Sequence, residues 1–190
     1  MNVTLIAERY AKALLEMALE KKVLEEVNMD MIRLAGLIRE SRPLKLFLRA
    51  PNINPGKKHA VMDEILRGFN PVTIAFINLL ISKRRESTIP EIVNQFIEQY
   101  NKYKNIIILR VKAAVPLNIE LQKQLTSLMA GYTKANISII EEVDESVIGG
   151  FVLSWDDKQY DASIQKQIER MKKGLARINL YVKGIEHGRH

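Results

Sequence analysis

The chain has 190 residues, of which 47% are apolar, and its formal net charge is +7. This composition predicts a folded protein with one ordinary core or two small ones, and the absence of cysteine excludes disulfides and thiolate metal sites. Because no apolar run reaches the roughly 18 residues of a membrane span and the first residues lack a secretory signal, we expect a soluble protein that stays where it is made.

The first hundred residues have a helical period and predict six helices. Prolines stand at or beside several of the predicted starts, where a missing backbone amide costs nothing. Short loops favour antiparallel neighbours in a bundle. The predicted helices run from about Thr4 to Glu20, Val23 to Ser41, Pro43 to Arg49, Gly56 to Gly68, Pro71 to Arg84 and Ile89 to Lys104.

After Asn105 the pattern changes to alternation of apolar and polar residues, which predicts a strand from Ile107 to Ala113. A helix from Asn118 to Lys134 and a strand from Asn136 to Val143 follow. The predicted helix carries the stripe Leu121, Leu125, Leu128 and Met129. A third strand is predicted at Phe151, Leu153 and Trp155, a fourth at Tyr160, and a last helix with the stripe Ile164, Ile168, Met171, Leu175 and Ile178. The predicted fold is mainly α: an N-terminal six-helix bundle, residues 1–104, followed by a smaller α+β domain, residues 105–190.

The stretch VIGGFVLSWDDKQYDASI contains two adjacent glycines and three aspartates. Because a strand follows Gly149 and Gly150, they form neither a P-loop nor a dinucleotide fingerprint, and we interpret them as a structural turn or bulge. The pair Asp156 and Asp157 is typical of a hairpin tip. Asp161 and Ser163 stand before the last helix, and either can cap its first amide groups.

The residues of catalytic and metal sites are sparse. The three histidines, His59, His187 and His190, do not stand at ligand spacing, and His59 is interpreted as a surface helix residue. Two carboxylates at the hairpin tip lack further ligands spaced to complete a cation shell. We therefore predict no catalytic residue, no cofactor and no metal site.

The first helix has more apolar surface than one core requires. On a helical wheel its apolar residues span about 200°, roughly twice the usual stripe. The fifth helix, PVTIAFINLLIS, has almost no polar face. Either both helices are unusually buried within the bundle, or they line a groove that receives an amphipathic helix from a partner. The pattern of residues favours neither alternative.

Basic residues cluster at SKRRES, Ser82 to Ser87, and at ERMKKGLAR, Glu169 to Arg177. Because no aromatic residues alternate with these cations to stack bases, we interpret the clusters as solvated faces. Nonspecific nucleic-acid binding through the positive field is the alternative.

Three segments together resemble a known family: ERYAKALLEMA, FINLLISKRRESTIPEIVNQF and VDESVIGGFVLSWDDKQYDASIQKQIERMK. In this order and spacing they resemble the delta subunit of the bacterial F-type ATP synthase, the counterpart of the mitochondrial oligomycin-sensitivity-conferring protein. The resemblance covers nearly the whole chain. Its most specific part is the acid-x-x-aliphatic-x-Gly-Gly core around Asp144 to Gly150, followed by Tyr-Asp-Ala-Ser. The chain departs from the usual pattern near Ser154, in the turn after Trp155, and at Gln165.

The resemblance implies a non-catalytic stator subunit of a proton-translocating hetero-oligomeric complex, with no bound nucleotide or nucleic acid. It would link the catalytic head to the membrane sector and resist rotor torque during ATP synthesis. The N-terminal domain would hold the N-terminal helix of an alpha subunit, and the C-terminal domain would bind the C-terminal region of the b-subunit stalk. The protein would lie peripherally on the cytoplasmic side of the cell inner (plasma) membrane. The expected groove residues are Ile6, Tyr10, Ala13, Leu14 and Met17 of the first helix and Phe76, Leu79, Leu80 and Lys83 of the fifth.

Overall fold

The computed structural model describes residues 3–131, 135–144, 147–155, 157–169 and 171–172. The chain divides into two compact units, Met1–Lys104 and Asn105–His190, here named the N-terminal domain and the C-terminal domain. No helix within the described ranges is long and apolar enough to cross a membrane.

The N-terminal domain contains six α-helices, and the predicted mainly α fold class is confirmed. The helices are α1 (Val3–Glu20), α2 (Leu24–Glu40), α3 (Arg42–Arg49), α4 (Pro55–Ile65), α5 (Pro71–Ser82) and α6 (Ile89–Tyr103), and a 3₁₀ turn at Glu86–Thr88 precedes α6. The fourth and fifth helices end two or three residues before their predicted limits. Left-handed backbone at Gly68 (φ 82°) and Arg84 (φ 55°) follows these ends.

Side-chain caps explain where three of these helices begin. The side chains of Ser41, Asn54 and Asn70 accept hydrogen bonds from backbone amides in the first turns of α3, α4 and α5. A proline stands within the first two positions of each helix, where its missing amide leaves no acceptor unpaired. The capping residue followed by proline is the local signal that the sequence provides for these starts.

The first helix packs mainly along α6 and uses only a narrow face for this contact. Its fully buried residues are Ala7, Ala11, Leu14 and Ala18, here named the core stripe. Because three of the four are alanines, the α1 backbone can lie close to its neighbour, where α6 contributes the buried side chains Ile89, Ile92, Val93 and Phe96. The core of the domain thus accounts for only part of the apolar surface of α1.

The fifth helix is central to the N-terminal domain. Its buried residues are Val72, Thr73, Phe76, Ile77, Leu80 and Ile81, which is half of the helix. Asp30 of α2 accepts hydrogen bonds from the Asn70 amide and the Thr73 hydroxyl, each at 2.7 Å. Asp30 thereby anchors the start of α5 to α2.

A second buried polar contact joins α4 to the turn before α6. The Lys58 side chain is only 1% exposed, and its ammonium group lies 2.5 Å from a carboxylate oxygen of Glu86. It also donates a hydrogen bond of 2.7 Å to the carbonyl of Ala50. Two strong acceptors compensate for burial of the charge, which would otherwise be costly.

The described residues of the C-terminal domain form a four-stranded sheet with a helix packed against it. Its elements are β1 (Ile106–Ala113), α7 (Ile119–Ala130), β2 (Asn136–Val143), β3 (Phe151–Trp155) and β4 (Lys158–Asp161), and the strand order is β2-β1-β3-β4. The inner strand β1 pairs in parallel with β2, with Ile106 opposite Asn136, and antiparallel with β3. The parallel pair is possible because α7 provides the crossover between the two strands.

The core of this domain lies between α7 and one face of the sheet. It consists of Leu109, Val111, Leu125, Met129 and Leu153. The predicted place of Leu128 on the α7 stripe is wrong, since its side chain is 55% exposed. Positions 121, 125 and 129 follow one face at four-residue spacing, and residue 128 lies about 100° away from residue 129 around the helix.

The chain is helical again at residues 164–169 and 171–172, here named the C-terminal helical segment. The first three residues of its predicted stripe are exposed: Ile164 by 45%, Ile168 by 46% and Met171 by 69%. The other two, Leu175 and Ile178, lie outside the described residues. The apolar face of this segment therefore remains accessible instead of joining the domain core.

Candidate functional site

A second apolar stripe runs along α1 beside the core stripe. Its members are Ile6, Tyr10, Ala13 and Met17, each one position before a member of the core stripe, and we name them the outer stripe. Ala13 is exposed and the other three are half-buried. A shift of one residue is a rotation of about 100°, so the outer stripe faces away from the α6 contact. The wide apolar arc of α1 is thus two stripes with different environments.

The fifth helix approaches this outer stripe through an aromatic contact. The rings of Tyr10 and Phe76 meet edge to face, with their centroids 6.4 Å apart and an interplanar angle of 64°. Leu79 lies one turn beyond Phe76 and is 46% exposed, and Lys83 follows one turn later and is exposed. The outer stripe and the end of α5 are therefore neighbours.

The structure separates the expected groove residues into two groups. Leu14, Phe76 and Leu80 are 0%, 4% and 0% exposed, so they support the surface from within the core. The remaining six are accessible to a partner: Ile6, Tyr10, Ala13, Met17, Leu79 and Lys83, here named the groove surface. Its use as a binding site remains a prediction.

Arg85 lies beside the groove surface, a position that the sequence did not reveal. Its guanidinium carbon lies 5.5 Å from the centre of the Tyr10 ring. The chain turns back after α5 because Arg84 adopts a left-handed conformation and the Arg85 amide donates a hydrogen bond of 2.8 Å to Leu80. Glycine usually occupies such a position, and its absence from SKRRES concealed the turn.

The cations at this turn have no carboxylate partner among the residues that the structure describes. None of the salt bridges among the described residues involves Lys83, Arg84 or Arg85. The neighbouring Glu86 is engaged by Lys58. The partial negative charge at the C-terminal end of α5 stabilises cations in this position. It does not neutralise them, so the turn carries a net positive charge beside the groove surface.

The two glycines singled out in the sequence lie between β2 and β3. Gly150 has φ 79°, a backbone conformation that residues with a side chain rarely adopt. A Cβ atom at this position would also overlap the carbonyl oxygen of Ala162. A Cβ atom on Gly149 would instead lie 2.5 Å from Cδ1 of Ile164, the flexible end of a side chain. Gly150 thus allows the backbone to approach residue 162 closely.

Of the two residues expected to cap the C-terminal helical segment, Ser163 has the required geometry. Its hydroxyl accepts a hydrogen bond of 3.3 Å from the Lys166 amide, in the first turn. The Asp161 carboxylate instead accepts a hydrogen bond of 2.9 Å from the Ser163 amide, one residue before the helical segment begins. Asp157 is exposed beyond β3, and Asp156 lies outside the described residues.

Within the described ranges, no group of three or more histidine, aspartate and glutamate side chains is arranged to hold a metal ion. His59 lies on α4 with a half-buried ring, and its Nδ1 lies 3.0 Å from Oδ1 of Asn78. It links α4 to α5. His187 and His190 lie outside the described residues.

A surface cleft of about 340 Å³ lies between the α1–α2 turn and the end of α6. Beside it, Glu25 accepts a hydrogen bond from the Tyr100 hydroxyl and pairs with Lys104, each at 2.5 Å. Burial and the bond to Glu25 raise the pKa of Tyr100 to about 12. The bonds from Lys104 and Tyr100 lower the pKa of Glu25. These contacts join the start of α2 to the end of α6.

The chain is similar to known proteins over most of its length. The family model described as ATP synthase delta (OSCP) subunit matches residues 6–175. The ATP synthase subunit delta of Christiangramia forsetii is 35% identical over 185 residues, covering 97% of this chain and 100% of the relative. That of Cytophaga hutchinsonii is 32% identical over 173 residues, covering 90% and 94%. A chain in the mitochondrial ATP synthase hexamer of Toxoplasma gondii has a TM-score of 0.69 and 21% identity, covering 90% of this chain and 97% of that chain, and supports the fold alone.

Proposed function

Because the chain belongs to the ATP synthase delta (OSCP) subunit family, it is a non-catalytic subunit of the peripheral stalk of an F-type ATP synthase, and we propose that its two domains bind different partners there. The N-terminal domain holds the N-terminal helix of an alpha subunit on the groove surface. The C-terminal domain binds the C-terminal region of the b subunit. The protein so connects the catalytic head to the membrane sector, on the cytoplasmic side of the cell inner (plasma) membrane.

The outer stripe of α1 is the observation that carries the first assignment. An amphipathic helix that docks in a groove buries apolar residues at spacings of three and four, and it requires a partner face with matching apolar residues. The outer stripe has this spacing at positions 6, 10, 13 and 17, and none of its members is fully buried in the core of the domain. Phe76 and Leu80 provide a packed floor beside it.

The second assignment is supported by the C-terminal helical segment. Ile164, Ile168 and Met171 stand at positions i, i+4 and i+7 and are all exposed. A stalk made of long helices offers an apolar stripe of the same period, which would remove these side chains from water.

The groove assignment is tested by titrating a peptide of the alpha-subunit N-terminal helix into the full chain. Ala13→Glu places a charge on the exposed outer stripe, so it should weaken binding at least about tenfold while the melting temperature stays close to that of the wild type. Met29→Glu is the matched control, because Met29 is 63% exposed on α2, a helix that contributes no residue to the groove surface. Equal affinities for wild type and Ala13→Glu would refute the assignment.

The stalk assignment needs a separate titration with the C-terminal segment of the b subunit. Ile168→Glu should weaken this binding and leave the alpha peptide unaffected. Gln167→Glu, an exposed neighbour in the same helical segment, is the matched control. The role of the exposed stripe would be contradicted if both variants still bound the b-subunit segment, or if both lost this binding. Salt-sensitive binding of a polynucleotide by the wild type, without binding of either peptide, would favour the nucleic-acid alternative.

A further inference from the structure

We infer that Arg85 is a specificity residue of the groove surface: it pairs with a carboxylate on the docked helix and so selects a partner helix that is acidic beside its apolar face. This inference rests on the proposed binding of an alpha-subunit helix. It adds a requirement that apolar complementarity alone does not impose.

The position of Arg85 is the first observation. Its guanidinium lies over Tyr10, which belongs to the outer stripe, and Tyr10 in turn contacts Phe76 of α5. A guanidinium placed over an aromatic face is oriented by the ring quadrupole and retains N–H groups for an acceptor. Arg85 is half-buried, so its side chain is more restricted than that of a free surface arginine.

The unbalanced charge is the second observation. No described carboxylate forms a salt bridge with Arg85, although acids lie close in the sequence and on α1. Glu86 is paired with Lys58, and Glu16 of α1 is paired with Lys12. The groove surface itself contains no acid and includes Lys83. A helix docked beside Lys83 and Arg85 therefore meets two cations that carboxylates of the docked helix can pair with.

A purely structural role does not account for both observations. A cation at the end of α5 interacts favourably with the helix dipole, but Lys83 and Arg84 already supply two. Arg33 provides a comparison, since its guanidinium carbon lies 4.9 Å from the centre of the Phe69 ring, just before α5. Arg33 and Arg85 thus share the same type of stacking near opposite ends of α5, and only Arg85 adjoins the groove surface.

The test is a set of titrations with two synthetic peptides. The first is the alpha-subunit N-terminal helix, and the second is the same helix with every Asp and Glu replaced by Asn and Gln. Wild-type protein should bind the acidic peptide about tenfold more tightly than the neutral one in low salt, and the preference should shrink as salt rises. Arg85→Met should abolish most of the preference by weakening the acidic complex alone. Arg33→Met, the matched control, should retain it.

The outcomes separate this inference from the proposed function. If both peptides bind wild type equally, or if Arg85→Met weakens both complexes by the same factor, the groove stands and the role of Arg85 is refuted. If neither peptide binds wild type, both proposals are refuted. Arg85→Lys covers the case in which Arg85→Met unfolds: it keeps the charge but loses the planar fork, and it should retain part of the preference. A complete loss of binding to both peptides by folded Arg85→Lys would also overturn the inference.

Discussion

The carboxylate of Asp30, in the middle of α2, lies 2.7 Å from the hydroxyl of Thr73 in the first turn of α5. The same oxygen accepts the amide of Asn70, 40 residues away in sequence. The start of α5 is therefore fixed by a side chain from another helix as well as by its own cap. Because α5 forms one wall of the groove surface, α2 positions a site that it does not line.

Removal of this anchor should destabilise the N-terminal domain. Asp30→Ala leaves a buried hydroxyl and an amide without their acceptor, so we expect a loss of about 2 to 4 kcal/mol in the free energy of unfolding. Asp30→Asn retains one acceptor oxygen and should cost less. Urea denaturation followed by far-UV circular dichroism measures both. The control is Asp63→Ala, which removes an exposed bond to Asn78 and should cost less than about 1 kcal/mol.

The two adjacent glycines should differ in their tolerance of a methyl group. Gly150→Ala forces a side chain into left-handed backbone and against the carbonyl of residue 162, so it should destabilise the C-terminal domain by about 2 to 4 kcal/mol. Gly149→Ala displaces only the end of Ile164 and should cost about 1 kcal/mol or less. Trp155, the single tryptophan, reports unfolding of this domain by fluorescence. Equal costs would contradict the close approach at Gly150.

The side-chain acceptors at the start of the C-terminal helical segment should each contribute modestly. Ser163→Ala removes the acceptor of a first-turn amide, and Asp161→Ala removes the acceptor of the Ser163 amide just before that turn, so we expect a loss of about 1 kcal/mol for each. Asp157→Asn, on an exposed turn, should change stability by less than about 0.5 kcal/mol. If these aspartates bound a metal ion, magnesium or calcium would raise the melting temperature of the wild type in a saturable way; we expect no such shift.

The core stripe and the outer stripe of α1 should respond differently to the same substitution. Leu14→Asp buries an unpaired charge in the core and should unfold the N-terminal domain. Tyr10→Asp should leave a folded protein, because this position is only half-buried, and should weaken binding of the alpha peptide by about 2 to 5 kcal/mol, because the complex would bury the charge fully. Calorimetry of binding and of thermal unfolding distinguishes the two. Unchanged affinity in folded Tyr10→Asp would exclude Tyr10 from the interface.

The Tyr100–Glu25 contact should produce a pH dependence at both extremes. The pKa of Tyr100 is raised above its ordinary value of 10.0 to about 12, so its stabilising effect is present below pH 10 and is lost as the pH rises toward 12. The pKa of Glu25 is lowered from its ordinary value of 4.5. The stabilisation from its ionised carboxylate is therefore present above pH 4.5 and is lost as the pH falls through the lowered pKa. Tyr100→Phe should flatten the alkaline limb of stability measured by urea unfolding. Tyr103→Phe, on an exposed neighbour, should leave it unchanged.

Local signals were sufficient to predict most of the fold. Helix starts such as α5 combine a capping Asn70 with Pro71, and strands such as β2 alternate in burial, so both are visible within a few residues of sequence. The error at Leu128 arose because two adjacent leucine or methionine positions cannot share one face of α7. The sequence alone does not predict whether Leu128 or Met129 packs against the sheet.

The residues that the sequence did not reveal depend on contacts between distant segments. Lysine usually lies at the surface, so the sequence does not predict the burial of Lys58. Its pairing with Glu86, 28 positions later, explains this burial. Asp30 acts across 40 residues. Arg85 was interpreted as part of a solvated cluster because no aromatic residue alternates with its cations along the sequence, whereas the ring that it contacts, Tyr10, lies on α1. Periodicity measures how apolar a helix is, but it does not show which of two stripes the core will use.

The junction between the domains has a mechanical consequence. Only Lys104 and Asn105 separate α6 from β1, and each is held within its own domain: Lys104 by Glu25, and Asn105 by a 2.9 Å hydrogen bond that its carbonyl accepts from Asn136. A pull between the two proposed partners would therefore reach β1 without first extending a flexible linker. The force would act on an inner strand that is hydrogen-bonded to neighbours on both sides. Many hydrogen bonds would therefore have to break together before β1 detached from the sheet.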